Sequence, residues 1–441
     1  MSRIKQSNCV NSISGITLGG IVSLTFLVQY FNNIMQSISV FLVFLIFFTL
    51  VFISFKGKLK IANRITYNWV WLIVLAVLLI SYLPADQYIS VYADLIVFIC
   101  GILIIVLSGD NISIYKLSIK VIKVMSLYYA ISIWVQLLLP PLYDIYLAIL
   151  MVKDRISVVD MRNLNGMYTG FSTNCGFTAA HLSAGILCYI STFKMKRKKG
   201  LLTLLFLFIS LLMTGKRSTF VFLLFTIVFL YIISAKKREK LKVYISIYFV
   251  SLTMVLLYIM LGGLFSMIPA VARITQTIDG ILLGLDVSSN RTIYYDYAWE
   301  LFQNNPWLGI GWGNYRNSTL GHVTWVNTVE VHNIYLQMLT EMGIIGFLGM
   351  VIPMVIVWIK TKKFYKELIS VQASGNTTWK VLFFYSLGYQ TFFLLQGLTE
   401  NPLYDINFSL MYLVCCSIPA VYSRFRRCKN KYRLKELQRN D

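Results

Sequence analysis

The chain has 441 residues, 57% hydrophobic and 13% charged, with a formal net charge of +22. A soluble domain carries about 25% charged residues, and a mean hydropathy of +0.69 excludes both a water-soluble globule and a disordered chain. It also excludes a nucleic-acid binder, whose basic stripes lie on polar faces. What remains is an all-α polytopic membrane protein whose charge excess must come from topology.

Arg3 and Lys5 precede an apolar run. No small-residue cleavage site follows cleanly, so the run reads as a first spanning helix with a cytoplasmic N-terminus. About 20 mostly apolar residues cross a bilayer. That length predicts twelve spans, at 15–35, 37–55, 65–83, 88–107, 119–139, 170–193, 200–214, 218–234, 243–262, 343–360, 381–399 and 407–423. Lysine and arginine concentrate in alternate connections: Lys56–Arg64, Lys194–Lys199, Lys236–Lys242, Lys360–Lys366 and Arg424–Arg439. The positive-inside rule assigns these, and both termini, to the cytoplasm. The inner side then carries 32 Lys/Arg against 5 Asp/Glu, and the outer side 8 against 12, with Asp94 inside a span.

Two outer segments are long, 140–169 and 263–342. The chain reads as a single membrane domain over 1–441, with 263–342 as an extramembrane loop subdomain within it. In that loop Ile293, Tyr294, Tyr297, Ala298, Leu301 and Phe302 recur at helical spacing, which predicts a helix over Thr292–Asn305. Asn290 is placed to cap it and Pro306 to stop it. The seven cysteines form no CxxC and no Cys/His cluster at metal spacing, so they read as small apolar residues.

Eight cations lie on the side where cations are disfavoured: Lys153, Arg155, Arg162, Lys216, Arg217, Arg273, Arg291 and Arg316. The sharpest case is Thr214-Gly-Lys-Arg-Ser-Thr219, a turn between two short spans. Charge at that depth is expensive unless it is paired or used. No acid lies nearby in sequence, and an external phosphate anion at a helix start is the partner favoured over simple snorkelling to lipid head groups. Arg291 opens the loop helix, where its guanidinium suits either a phosphate or an ion pair with Asp286 or Asp296. Of the three histidines, His181 falls inside a span and reads as a hydrogen-bonded core residue. His322 lies in a polar loop and is uninformative. His332 sits at the mouth of the tenth span, where an imidazole can accept a hydroxyl proton near neutral pH. Gly309-Ile-Gly-Trp-Gly313 follows no strand, so it reads as a tight turn rather than a nucleotide loop.

The segment from Asn290 to Gly346 resembles the O-antigen polymerase and ligase superfamily of multi-spanning, GT-C-like glycosyltransferases. The resemblance rests on Asn290-Arg291, on Asn305-Pro306-Trp-Leu-Gly-Ile-Gly-Trp-Gly313, and on His332-Asn333 followed after nine residues by Gly343-Ile-Ile-Gly346. The Gly-Lys-Arg turn at 215–217 is similar to the family's basic turn between two spans.

The resemblance implies a glycan carried on undecaprenyl diphosphate, used at the periplasmic face of the bacterial inner membrane. It implies His332, Arg291 and Arg217 as catalytic residues. Lys216, Arg316, Asn333, Arg273 and Arg162 are expected to contribute to substrate binding. No metal and no other cofactor is expected. Membrane lipids and a chain-length regulator protein are the expected partners, with no nucleic acid. A polymerase extending lipid-linked repeats is favoured over a ligase acting on lipid A core, because the Gly-Lys-Arg turn is nearer to polymerase versions. A lipid-linked glycan flippase is the alternative from another class, and it would place charges along several spans rather than at one face.

Overall fold

In the computed structural model, described residues are 61–83, 112–150, 153–172, 174–192, 198–235, 237–249, 268–285, 291–319, 329–370 and 377–440, with a few single positions besides. All their regular structure is helical: α1 Ile61–Ser81, α2 Ile112–Leu138, α3 Pro140–Leu150, α4 Lys153–Leu164, α5 Cys175–Ser191, α6 Lys198–Met213, α7 Arg217–Ser234, α8 Pro269–Leu282, α9 Arg291–Asn304, α10 Asn314–Ser318, α11 Ile334–Ser370, α12 Thr377–Gln396 and α13 Ile406–Asn440. Among these, parts of α2, α7, α11 and α13 are long and apolar enough to cross a membrane; Trp69–Ser81, Cys175–Ser191 and Gly200–Met213 are shorter apolar helices. The chain is a polytopic membrane protein. The spans expected at 15–35, 37–55 and 88–107, and most of 243–262, lie outside the described residues.

α5 is the centre of the bundle. Nearly all its side chains from Cys175 to Cys188 are buried, because α2, α6, α7 and α12 pack around it. Small residues allow that crowding: a side chain at Gly185 would collide with Ser126 of α2. α11, α12 and α13 complete the core, with α1 laid along α11.

The long outer segment 140–169 folds as α3 and α4, joined to the bundle by Gln136, whose Oε1 accepts from Gly170 N at 2.8 Å. The last residues of 263–342 belong to α11, which begins at Ile334. Hydropathy missed those first turns because Gln337, Thr340 and Glu341 are polar, yet all three are buried against protein rather than lipid. The tenth span is therefore the middle of a longer helix, broken at Gly343.

Gly343 explains the paired glycine motifs. Its φ of 62° and ψ of −172° are open essentially only to glycine. The break frees carbonyls for the turn at 306–313: Ile310 N donates to Thr340 O at 3.0 Å and Gly311 N to Glu341 O at 2.9 Å. In return Ile344 N donates to Pro306 O at 2.8 Å. A Cβ at Gly309 would strike the backbone of Glu341, and one at Gly343 the backbone of Trp307. Gly309, Gly311 and Gly313 all have positive φ, as a tight turn requires. The two motifs are thus the two halves of one backbone joint. Trp312 locks it to α1, donating N–H to Ser81 O at 2.9 Å while its ring stacks on Tyr404.

Candidate active site

Several helix ends meet at one end of the bundle. α5, α7, α9 and α11 start there, and α6 and α12 finish there, because consecutive long helices run antiparallel. Asn174 caps α5, its Oδ1 accepting from Gly176 N at 2.9 Å. Asn333 caps α11, its Oδ1 accepting from Tyr335 N at 3.0 Å and Leu336 N at 3.2 Å. The opposite end carries the Ser234–Tyr365 hydrogen bond and the Arg426–Glu367 ion pair.

The turn after α6 delivers Lys216. Gly215, at φ 67°, turns the chain against Met167. The ammonium then lies over Gly176, where a Cβ would stand 3.1 Å from Nζ. Lys216 Nζ donates to Glu400 Oε1 at 2.8 Å, although the two residues are 184 apart in sequence. Arg291 Nη2 lies 3.6 Å from the same oxygen, and its Nη1 donates to Thr399 O at 2.6 Å. His332 Nδ1 faces Glu400 Oε2 at 3.6 Å, longer than a hydrogen bond. One carboxylate therefore has three partners from three elements.

Glu400 is 19% exposed. Burial alone would raise its proton affinity. Lys216 first, then His332 and Arg291, outweigh burial and hold the carboxyl well below the usual carboxylate range. His332 is the single non-glycine residue with positive φ among the described residues, at 56°. Histidine enters this region more readily than most side chains. Buried Val331 and the bond from Ile334 N to Gly397 O, 2.8 Å, fix the backbone on either side.

Arg217 and Arg273 form the flank of the cluster. Arg217 Nη1 donates to Thr277 Oγ1 and, at 3.4 Å, to Arg273 O, both on α8. Arg273 Nη1 contacts Met167 Sδ. Arg217, Arg273 and Arg291 lie near enough to repel one another. Two cations pair with the Glu400 carboxylate and two more flank them, so the cluster itself carries more positive than negative charge.

Five of the expected residues thus come together: Lys216, Arg217, Arg273, Arg291 and His332. Three do not join them. Arg316 is exposed on α10. Asn333 has its side-chain oxygen engaged as a helix cap. Arg162 ends α4, where its carbonyl accepts from Met167 N at 2.9 Å, one step removed from Arg273. His322, Asn290 and Asp286 lie outside the described residues. His181 is a core residue as expected, its Nδ1 3.0 Å from Phe177 O.

The sequence reading missed Glu400. Acids are ordinary on the outer side, so it broke no rule there. The available signal was its place at the mouth of the eleventh span, on the same side as the exceptional cations. Glu341 was also missed. It is fully buried, and it accepts from Tyr404 OH, from Gln337 Nε2 at 3.2 Å and from Tyr315 N at 3.2 Å. Gln337 Oε1 in turn accepts from Asn401 at 2.6 Å, which ties α11 to the residue after Glu400.

Residues 202–351 match the model of a family described as O-antigen ligase. No curated protein matches the chain. The matched third of the chain holds all five assembled site residues, while Glu400 lies beyond it. The match over that segment supports the resemblance to the O-antigen polymerase and ligase superfamily.

Proposed function

We propose that this protein is a polymerase of bacterial surface polysaccharide, acting at the periplasmic face of the inner membrane. It transfers a glycan from undecaprenyl diphosphate to a hydroxyl of another lipid-linked repeat unit. The observation that carries this reading is the convergence of Lys216, Arg217, Arg273 and Arg291 beside His332 at one end of an apolar bundle. The acceptor oxygen attacks the anomeric carbon, and the bond from that carbon to the diphosphate oxygen breaks. The diphosphate leaves with the electron pair, and Arg217 and Arg291, helped by Lys216 and Arg273, neutralise the charge that develops. His332 takes the proton from the acceptor hydroxyl.

A second reading is ligation of the glycan to lipid A core. It is supported by the description of the matched family and by the His332-Asn333 and Gly343–Gly346 pattern. The two readings share donor and chemistry and differ in the acceptor. A chain-length regulator is a natural partner for the polymerase alone. Against a flippase stands the gathering of Lys216, Arg217, Arg273 and Arg291 at one end of the bundle.

The test is reconstitution. Purified protein in detergent is given lipid-linked repeats, alone or with lipid A core. A ladder of longer lipid-linked chains is the expected product. A glycan joined only to the core would establish the ligase instead. If neither product forms while lipid-linked glycan crosses vesicle membranes, the transferase reading is wrong.

A further inference from the structure

We propose that Glu400 is a positioning residue, holding His332 so that Nδ1 faces the carboxylate and Nε2 is the ring nitrogen that accepts the hydroxyl proton. The proposal rests on the transferase reading and extends it to a residue outside the matched family segment.

The geometry points this way on three counts. Both carboxylate oxygens face site groups, Oε1 toward Lys216 and Arg291 and Oε2 toward His332. The neighbouring residues of the loop are anchored independently: Thr399 O accepts from Arg291, and Asn401 Nδ2 donates to Glu330 and Gln337. The loop thus has other attachments, and the Glu400 side chain is directed at the cluster. Finally, His332 Nδ1 is shielded from solvent and makes no hydrogen bond among the described residues, with Glu400 Oε2 at 3.6 Å. A modest shift closes that gap to a hydrogen bond once the ring carries a proton on Nδ1. A carboxylate on one ring nitrogen fixes the tautomer and stabilises the imidazolium formed when the other nitrogen takes a proton.

The charged and titratable groups grouped around His332 are Lys216 at the start of α7, Arg291 and Tyr294 on α9, and Glu400. The carboxylate keeps its charge at neutral pH because Lys216, His332 and Arg291 together outweigh its burial. Replacing it with a neutral amide therefore leaves the ring facing cations alone.

The chain has three histidines, so nitrogen-15 labelling of histidine in the full-length protein gives a readable spectrum. H332A identifies the His332 signal. In the wild-type protein the neutral ring is expected to carry its proton on Nδ1. A proton on Nε2 instead would overturn the proposal without any Glu400 variant. In E400Q the proton is expected to move toward Nε2, and E400D is expected to restore it to Nδ1. The same tautomer in wild type and E400Q would also overturn the proposal. In transfer assays E400Q should lower the rate about 100-fold, yet cost nothing further in an H332A background; a residue with a purely structural role would still cost activity there. Wild-type protein that transfers no glycan defeats the transferase reading, whereas the nitrogen spectra report on Glu400 and His332 regardless.

Discussion

Lys216, Arg291 and His332 come from three different elements and meet one carboxylate, which makes each of them sensitive to the others. R217A and R291A should each reduce glycan transfer by about 100-fold or more, the size typical of losing a donor aimed at developing charge. Glycan ladders from membranes with matched protein levels would show this; a wild-type ladder would remove that arginine from the site. H332A should cost about 100- to 10,000-fold while donor binding persists. The acidity of Glu400 sets a pH signature of its own. Its folded-state proton affinity lies below that of a free carboxyl, so its stabilisation is present above the free-carboxylate range and is lost as pH falls through the depressed folded range. The difference in thermal midpoint between wild type and E400Q should narrow as pH falls below about 4.3. At this scale the sequence revealed the cations and the imidazole, because each stood out against a topological rule or at a span mouth. Glu400 offered only its place at a span mouth, since an acid 184 residues from Lys216 breaks no rule and acquires its meaning through contact.

The joint between the 306–313 turn and α11 is the element on which the site's geometry depends. It joins α9, which carries Arg291, to α11, which follows His332, by four backbone hydrogen bonds when Ile345 N to Trp307 O, 3.4 Å, is included. Alanine at Gly343 forces a Cβ into the backbone of Trp307 in a conformation closed to L-residues. G343A should therefore destabilise the fold by about 1–3 kcal/mol, read as a lowered thermal midpoint in detergent, and G309A should do the same. If both variants melt like the wild type, the joint is not a structural requirement. Helix positions were legible from hydropathy, as α5, α6, α7, α12 and α13 lie close to their expected spans. The start of α11 was not, because Gln337, Thr340 and Glu341 are buried among polar partners, and a hydropathy window counts them as solvent-facing.

Across the whole molecule the two ends of the bundle differ. The end with α7, α9 and α11 starts gathers the site; the other carries Lys237, Lys240 and Lys242 beyond α7, the lysine-rich stretch 360–366 of α11 and the start of α12. The positive-inside rule then predicts that cysteine introduced at exposed Asp296 or Trp299 reacts with an impermeant reagent from the periplasm, whereas one at Glu367 does not. The reverse labelling would invert the topology and move the site to the cytoplasm. The +22 charge is legible at this scale as an asymmetry between ends. The position of the site within one end was not, because it depends on how turns far apart in the chain fold back together.

The long separation between Lys216 and Glu400 also bears on the order of synthesis. Lys216, Arg217, Arg273 and Arg291 are all made before the carboxylate that Lys216 and Arg291 share. A nascent chain that has not yet completed α12 carries these cations with their common counter-charge still to come, and each opposes the placement that the finished protein gives it. The last helices therefore secure the orientation of the middle ones as well as adding to the core. Chains stopped before Glu400 should show mixed orientation of the Lys216 turn, which glycosylation or cysteine mapping of truncated chains would detect.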